Sequence, residues 1–261
     1  SLGPDHPELA KWINNLGLLF SDQGKYDEAE PLYKRAIAIG EASLGPDHPE
    51  LAKWINNLGL LFSDQGKYDE AEPLYKRAIA IGEASLGPDH PMLAARYNNL
   101  SNFLRAEGKY DEAEPLYKRA IAISEASLGP DHLDLAGRLN DLAALLVVVG
   151  DFRRARRLFE RAIAIGEHSL GPEHPVLVTW LRNCWELMVM EENYREALHL
   201  YDRESAIQMR SFGSIGPRKP TKTSSYFSFS SDTRFVGSPA IEDFPMAIVS
   251  GENESRPGHH R

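Results

Sequence analysis

Apolar side chains recur along the start of the chain at Leu9, Ile13, Leu16 and Phe20, and again at Ala29, Leu32, Tyr33, Ala36 and Ile37. Steps of three and four residues place each set on one face of a helix. Gln23-Gly24-Lys25 interrupts the pattern between them, and Ser1-Leu2-Gly3-Pro4-Asp5-His6-Pro7 precedes the first set. A glycine and two prolines do not belong in a helix interior, so this heptapeptide reads as a loop. Gly3 suits a helix C-cap and Pro7 a first helical position. The prediction is a pair of helices, A and B, with Gly17 beside Leu16 leaving room for their close approach. Asp27, Glu28 and Glu30 fall near the start of helix B, where carboxylates meet the positive end of the helix dipole, and Pro31 just beyond forfeits one backbone hydrogen bond.

The pair then repeats. Copies begin at Ser1, Ser43, Ser85, Ser127 and Ser169, a period of 42 residues, and residues 43–84 are identical to residues 1–42. One hairpin cannot bury both of its faces, so consecutive copies must stack, and the pattern predicts an all-α, right-handed superhelical solenoid of antiparallel helix pairs. Its expected divisions are four regular repeats over 1–168, a degenerate fifth over 169–210 acting as a C-terminal cap, and a disordered Ser/Pro-rich tail over 211–261. Leu16, Gly17, Phe20, Gly24, Tyr26, Ala29, Tyr33 and Ala36 stand at the spacings of tetratricopeptide repeats, with Ile13 where that family usually carries Trp. The 42-residue length, the LGPDHP loop, Asn14-Asn15 before Leu16 and the QGKYDEAEPLYKRA stretch resemble more specifically the repeats of kinesin light chains. That resemblance implies a scaffold or adaptor that holds extended peptides in a concave groove lined by helix A.

Differences between copies locate the candidate groove. Repeat 3 departs from repeat 2 at 12 positions, of which 11 run from Met92 to Glu107 and only one, Ser124, lies in helix B. Variation confined to helix A changes what a groove reads, although drift in a recently duplicated array produces the same pattern. Helix A also carries a recurring amide pair: Asn14-Asn15, Asn56-Asn57, Asn98-Asn99, Asn140-Asp141 and Arg182-Asn183. An Asn side chain has both an acceptor and a donor, so it can pair with the backbone of an extended peptide whatever its sequence. In the resembled family such asparagines hold bound peptides. Asn102 joins them one turn on, and Lys11, Lys53, Arg96 and Arg138 are placed to attract carboxylates, while Trp54 and Tyr97 would contact apolar side chains if exposed. The competing reading is that one Asn of each pair stabilises the stack.

Charge narrows the partners. The chain carries 29 basic and 38 acidic residues, with −10 in the repeats and +1 in the tail, which argues against nucleic acid or an anionic membrane. The expected partners are proteins or peptide segments, acidic or aromatic-containing, including a motor complex or its cargo. Repeat 4 places Arg153, Arg154, Arg156 and Arg157 where earlier copies are acidic, a secondary basic patch for an acidic partner or for the acidic helix-B residues Asp111, Glu112 and Glu114. Repeat 5 puts Cys184-Trp185 in place of Leu-Gly and Glu204 in place of Ala, as a cap would.

Neither a cofactor nor a metal is expected. Cys184 is the single cysteine, and the histidines of the loops, His6, His48, His90, His132 and His174, recur singly and read as cap chemistry. No phosphate-binding or nucleophile-elbow motif occurs, so an enzyme is not expected. With no apolar run long enough for a membrane span and no signal peptide, the expectation is a cytoplasmic protein. A coiled-coil heptad segment for a motor heavy chain is not found either, which leaves a second role open, the sensor arm of a nucleotide-switched ATPase, and a third, a structural spacer. The tail contributes a kinase-accessible stretch at Arg218–Ser225, the pair Ser238-Pro239 and an acidic-aromatic segment, Ile241–Met246, suited to compete for the groove.

Overall fold

A computed structural model of the protein describes residues 6–212. The tail features at Arg218–Ser225, Ser238-Pro239 and Ile241–Met246 lie outside the described residues. Among those described, ten α-helices and no strands occur: α1 (Pro7–Asp22), α2 (Tyr26–Leu44), α3 (Pro49–Asp64), α4 (Tyr68–Leu86), α5 (Pro91–Ala106), α6 (Tyr110–Leu128), α7 (Leu133–Val148), α8 (Phe152–Leu170), α9 (Leu177–Met190) and α10 (Tyr194–Phe212). The all-α hairpin repeat predicted from the periodicity is the observed fold. Odd-numbered helices are the A helices and even-numbered ones the B helices.

The local signals act as predicted. Pro7, Pro49 and Pro91 open their helices, and His6, His48, His90 and His132 cap them, each accepting at Nδ1 the backbone N–H two residues on, at 3.1–3.3 Å. His174 accepts the same bond from Val176. These bonds satisfy amides that a helix start leaves without partners. The A-to-B turn needs one residue in the left-handed region, supplied by Gly24, Gly66, Gly108 and Gly150. In the fifth repeat that position is Glu192, at φ 59°, the one non-glycine with positive φ among the described residues.

The described residues divide into two compact units between Val149 and Gly150, within the fourth repeat and between its two helices. In the first unit each helix packs on the next in sequence, and α1, α3, α5 and α7 also touch one another in order, making a continuous wall of A helices. In the second, α9 packs against both α8 and α10.

Two glycine contacts recur. Gly17 admits the ring of Tyr33, and Gly59 that of Tyr75; a Cβ would meet these rings at 3.1 and 3.2 Å. The second contact joins successive repeats and is tighter. A Cβ on Gly40 of α2 would stand 2.5 Å from Cζ3 of Trp54 and 2.7 Å from Cδ2 of Leu51, both on α3. Gly82 admits Arg96 Nη1 in the same way, and in the second unit Gly166 admits Trp180. The B helices α2, α4 and α8 thus each offer a notch into which the next A helix inserts a side chain, while α6 carries Ser124 at that position. Seated in its notch, Trp54 is 1% exposed.

Candidate peptide-binding face

The amide pairs are joined to each other from repeat to repeat. Asn57 Nδ2 donates to Asn14 Oδ1 at 3.2 Å, and Asn99 Nδ2 donates to Asn56 Oδ1 at 3.2 Å. The first Asn of a pair is buried in α1, α3 and α7, as Asn14, Asn56 and Asn140; the second is exposed as Asn15, half-buried as Asn57 and Asn99, and buried as Asp141. At the next step the direction reverses. Asp141 has only acceptors, so Asn98 Nδ2 donates to its Oδ2 at 2.8 Å, Asn102 Nδ2 donates to the same oxygen at 3.3 Å, and Asn98 Oδ1 is left buried without a partner. Asn102 Oδ1 in turn accepts from the Tyr117 hydroxyl. Each second Asn in α3 and α5 commits one amide hydrogen to this ladder and keeps its carbonyl and its other hydrogen. Asn15, at the start of the ladder, is exposed.

The cations do not form one row. Lys11 and Lys53 stand on the exposed side of α1 and α3, where Lys11 Nζ bonds Glu8 at 3.3 Å and lies 4.0 Å from Glu50. Arg96 and Arg138 are one position later in their repeats, which turns them toward the preceding B helix. Arg96 fills the Gly82 notch and is buried, and burial lowers its affinity for a proton. Arg138 is half-buried, with Nη1 donating to the Asp134 carbonyl at 2.7 Å. Trp54 and Tyr97 are buried too, Trp54 in its notch and Tyr97 with its hydroxyl on Glu83. Neither aromatic is available to a ligand, because both belong to the interface between hairpins.

What the A helices do expose is a stripe at steps of four, three and four residues: Lys11, Asn15, Leu18 and Asp22 on α1, then Lys53, Asn57, Leu60 and Asp64 on α3. Leu18 and Leu60, 43% and 37% exposed, are apolar groups that helical periodicity alone assigned no role. Their signal was available, since they fall between the polar positions Asn15 and Asp22, and Asn57 and Asp64. Toward α7 the stripe closes over, with Ala144 and Asp141 both buried.

In the second unit the basic patch is partly consumed. Arg156 pairs with Glu191 and lies 3.7 Å from Glu196, and Arg154 Nη1 bonds Asp151 at 3.2 Å. Arg153 and Arg157, four residues apart on α8, are exposed. The substitutions of repeat 5 answer one another: Trp185 Nε1 donates to Glu204 Oε2 at 2.8 Å, Arg182 pairs with the other oxygen, and the indole meets Tyr201 edge-on. A cleft of about 590 Å³ between α8, α9 and α10 has Cys184 and Met188 in its lining, with Glu160, Glu167, His199 and Arg203 among the residues around it. Burial pushes the Cys184 thiol up to about 12, so the thiol form predominates at neutral pH.

Among the described residues no group of three or more His, Cys, Asp or Glu is arranged to hold a metal, and no helix is long and apolar enough to cross a membrane.

Tetratricopeptide repeat sequences match residues 8–84, 51–123, 92–168 and 138–210. Among solved structures the fold is similar to BtubC (BKLC) of P. vanneervenii, with a TM-score of 0.70 and 24% identity over 82% of this chain and 86% of that one. A putative kinesin light chain of P. anserina with nearly identical TPR-like repeats gives a TM-score of 0.68 and 25% identity over 80% of this chain and 99% of that one. The apo form of RapI is similar at a TM-score of 0.65 and 16% identity, over 77% and 71% of the two chains. No curated protein matches the chain. Hairpins of one design from Pro7 to Phe212, notched at Gly40, Gly82 and Gly166 for the helix that follows, and sequence matches spanning residues 8–210 lead to one conclusion: the chain belongs to the tetratricopeptide repeat family, a fold that serves as a scaffold for protein interactions.

Proposed function

We propose that the protein is an adaptor that holds an extended peptide along the exposed faces of α1, α3 and α5. The observation that carries this reading is the repeated stripe Lys, Asn, Leu, Asp on α1 and α3, continued by Asn99 and Asn102 on α5. Leu18 and Leu60 provide apolar contact between the polar positions of the stripe, and the unspent hydrogen-bonding groups of Asn57 and Asn99 pair with peptide backbone. Lys11 and Lys53 at one edge favour a ligand with acidic residues beside its apolar or aromatic anchor. The ladder geometry shifts the weight of recognition from the amides to the leucines and lysines, because each ladder Asn is also a bond between repeats. A second surface, exposed Arg153 and Arg157 on α8, suits an acidic partner segment.

Selection of a random peptide library on the full chain, beside a Leu18→Ser/Leu60→Ser variant and a Lys11→Glu/Lys53→Glu variant, tests this. Acidic-aromatic peptides enriched on the parent are expected to be lost from the first variant and to change charge on the second. Enrichment of the same peptides on all three proteins would overturn the reading.

A further inference from the structure

The second residue of the B helices changes sign along the chain. In α8 and α10 it is Arg153 and Arg195, whereas in α2, α4 and α6 it is Asp27, Asp69 and Asp111, each followed by a glutamate. Four residues on, α8 and α10 carry Arg157 and His199 where the three earlier B helices carry proline. Arg153, Arg157, Arg195 and His199 are all exposed in the second unit, as are the three Asp-Glu pairs in the first. Neighbouring charges are spent within the chain: Glu30 holds Lys34 and Lys67, Glu72 holds Lys76 and Lys109, Arg154 bonds Asp151, and Arg156 pairs with Glu191. Arg153, Arg157 and Arg195 bond no carboxylate, and Asp27, Asp69 and Asp111 no cation, among the described residues. Net charge follows the same division, with 23 acidic and 14 basic side chains in residues 1–149 but 10 and 9 in residues 150–210. The helix dipole favours carboxylates in a first turn and disfavours cations there, yet the first turn of α8 has no acidic residue. Local stability therefore accounts for the aspartates and not for the arginines.

We propose that the basic row on α8 and α10 docks a second copy of the chain through that copy's acidic row on α2, α4 and α6. The proposal rests on the reading of Arg153 and Arg157 as a surface for an acidic partner, and it names the partner. Charge complementarity is one argument, and matching interval is the other. Arg153 and Arg195 occupy the same helix position one 42-residue step apart, as do Asp27 and Asp69, and Asp69 and Asp111. Arginines that repeat at the step of the aspartates can meet two of them at once. Two basic copies facing three acidic ones give two registers, on α2 and α4 or on α4 and α6. The contact uses neither the notch side chains nor the Lys, Asn, Leu, Asp stripe of α1 and α3. Exposed ion pairs each contribute little and are screened by salt, so the association is weak and strongest at low ionic strength.

Sedimentation velocity of the full chain at about 20 mM and about 500 mM salt, between which the screening length falls several-fold, measures self-association. The parent is expected to associate at low salt and to separate at high salt. A basic-row variant, Arg153→Glu/Arg157→Glu/Arg195→Glu, and an acidic-row variant, Asp27→Arg/Asp69→Arg/Asp111→Arg, are each expected to self-associate about tenfold more weakly, because like charges then face each other. Mixed together, the two variants are expected to regain association, since each reversed row finds a row of opposite sign. Lys34→Glu/Lys76→Glu/Lys118→Glu reverses as many charges at exposed lysines outside the rows and is expected to behave as the parent does. A loss in this control as large as in the basic-row variant would trace the effect to net charge and overturn the proposal. So would unchanged association in either row variant, or a mixture no tighter than its components. Fluorescent oligoglutamate, titrated onto parent and basic-row variant, separates the surface from its occupant. A parent that binds this probe through the basic row yet stays monomeric at low salt keeps the surface for an acidic segment of another protein and refutes the second copy.

Discussion

Placing a methyl group in the Gly40 notch tests the claim that this contact sets how repeats join. In an exposed helix interior Gly→Ala stabilises by about 1 kcal/mol. At Gly40 the added Cβ would stand 2.5 Å from Trp54 Cζ3 and 2.7 Å from Leu51 Cδ2, distances that require the rigid, buried indole to move. Overpacking of this kind costs about 1–3 kcal/mol. The two effects oppose, and Gly40→Ala is expected to range from neutral to destabilising by about 2 kcal/mol. Gly137 in α7 is the control within the same unit: a Cβ there meets nothing within 4 Å, so Gly137→Ala should stabilise by the full amount of about 1 kcal/mol. Gly82→Ala should fall between them, because the group it displaces is the end of the flexible Arg96. Urea unfolding followed by circular dichroism measures all three. In a Trp54→Leu background, which removes the ring, Gly40→Ala should become as favourable as Gly137→Ala, a coupling that a double-mutant cycle reads directly. A Gly40→Ala protein stabilised as much as Gly137→Ala with Trp54 intact would refute the notch.

Four further outcomes follow from individual groups. Cys184, whose thiol burial raises to about 12, should resist alkylation at pH 8 in the folded chain and react at the rate of a free thiol in denaturant. Burial holds the Glu186 carboxyl well above its usual range, with Arg182 opposing and Glu204 reinforcing, so the folded state keeps a proton that the unfolded chain releases. Glu186→Gln should therefore raise the melting temperature at neutral pH and have little effect below the carboxylate range. Glu30 has the opposite sign: hydrogen bonds from Lys34 and Lys67 lower its carboxyl, so its contribution is present at neutral pH and disappears in acid, and Glu30→Gln should reduce the melting temperature only above the carboxylate range. Glu192→Gly, which replaces the residue at φ 59° with one that adopts it freely, should stabilise the second unit by about 1 kcal/mol in urea unfolding.

The fold was legible because each signal was local and recurred. Pro7, Gly24 and the apolar spacing from Leu9 to Phe20 lie within one repeat, and the later copies restate them except for Leu133 in place of Pro7 and Glu192 in place of Gly24. The cap chemistry of the loop histidines was legible for the same reason. What escaped was most of what joins one copy to the next. Trp54 and Arg96 are out of phase with the apolar stripe, and their partners Gly40 and Gly82 are 14 residues earlier in other helices. Read within one repeat, an indole and a guanidinium on helix A look like ligand contacts. The asparagines were recognised as a set, but their bonds run over 43 residues, one more than the period, so no repeat considered singly contains a bonded pair of this kind. Leu18 and Leu60 were passed over because an apolar residue outside the buried stripe has no periodic signature of its own.

The notch and the side chain that fills it have a consequence for how such an array changes length. Gly40 and Trp12 lie in the same 42-residue unit, so a unit inserted whole brings a receptor for the next unit and a plug for the one before. Insertion of a unit identical to residues 1–42 beside its twin leaves the junctions as they were, whereas a slip of even one residue would separate Asn57 from Asn14 and Trp54 from Gly40 together. The fifth unit keeps the plug, Trp180, seated at Gly166, and carries Gln208 at the position of the receptor glycine. The wall of A helices can thus change in steps of one helix at a junction whose notch glycine is present, as at Gly40 and Gly82, without any new contact having to be invented.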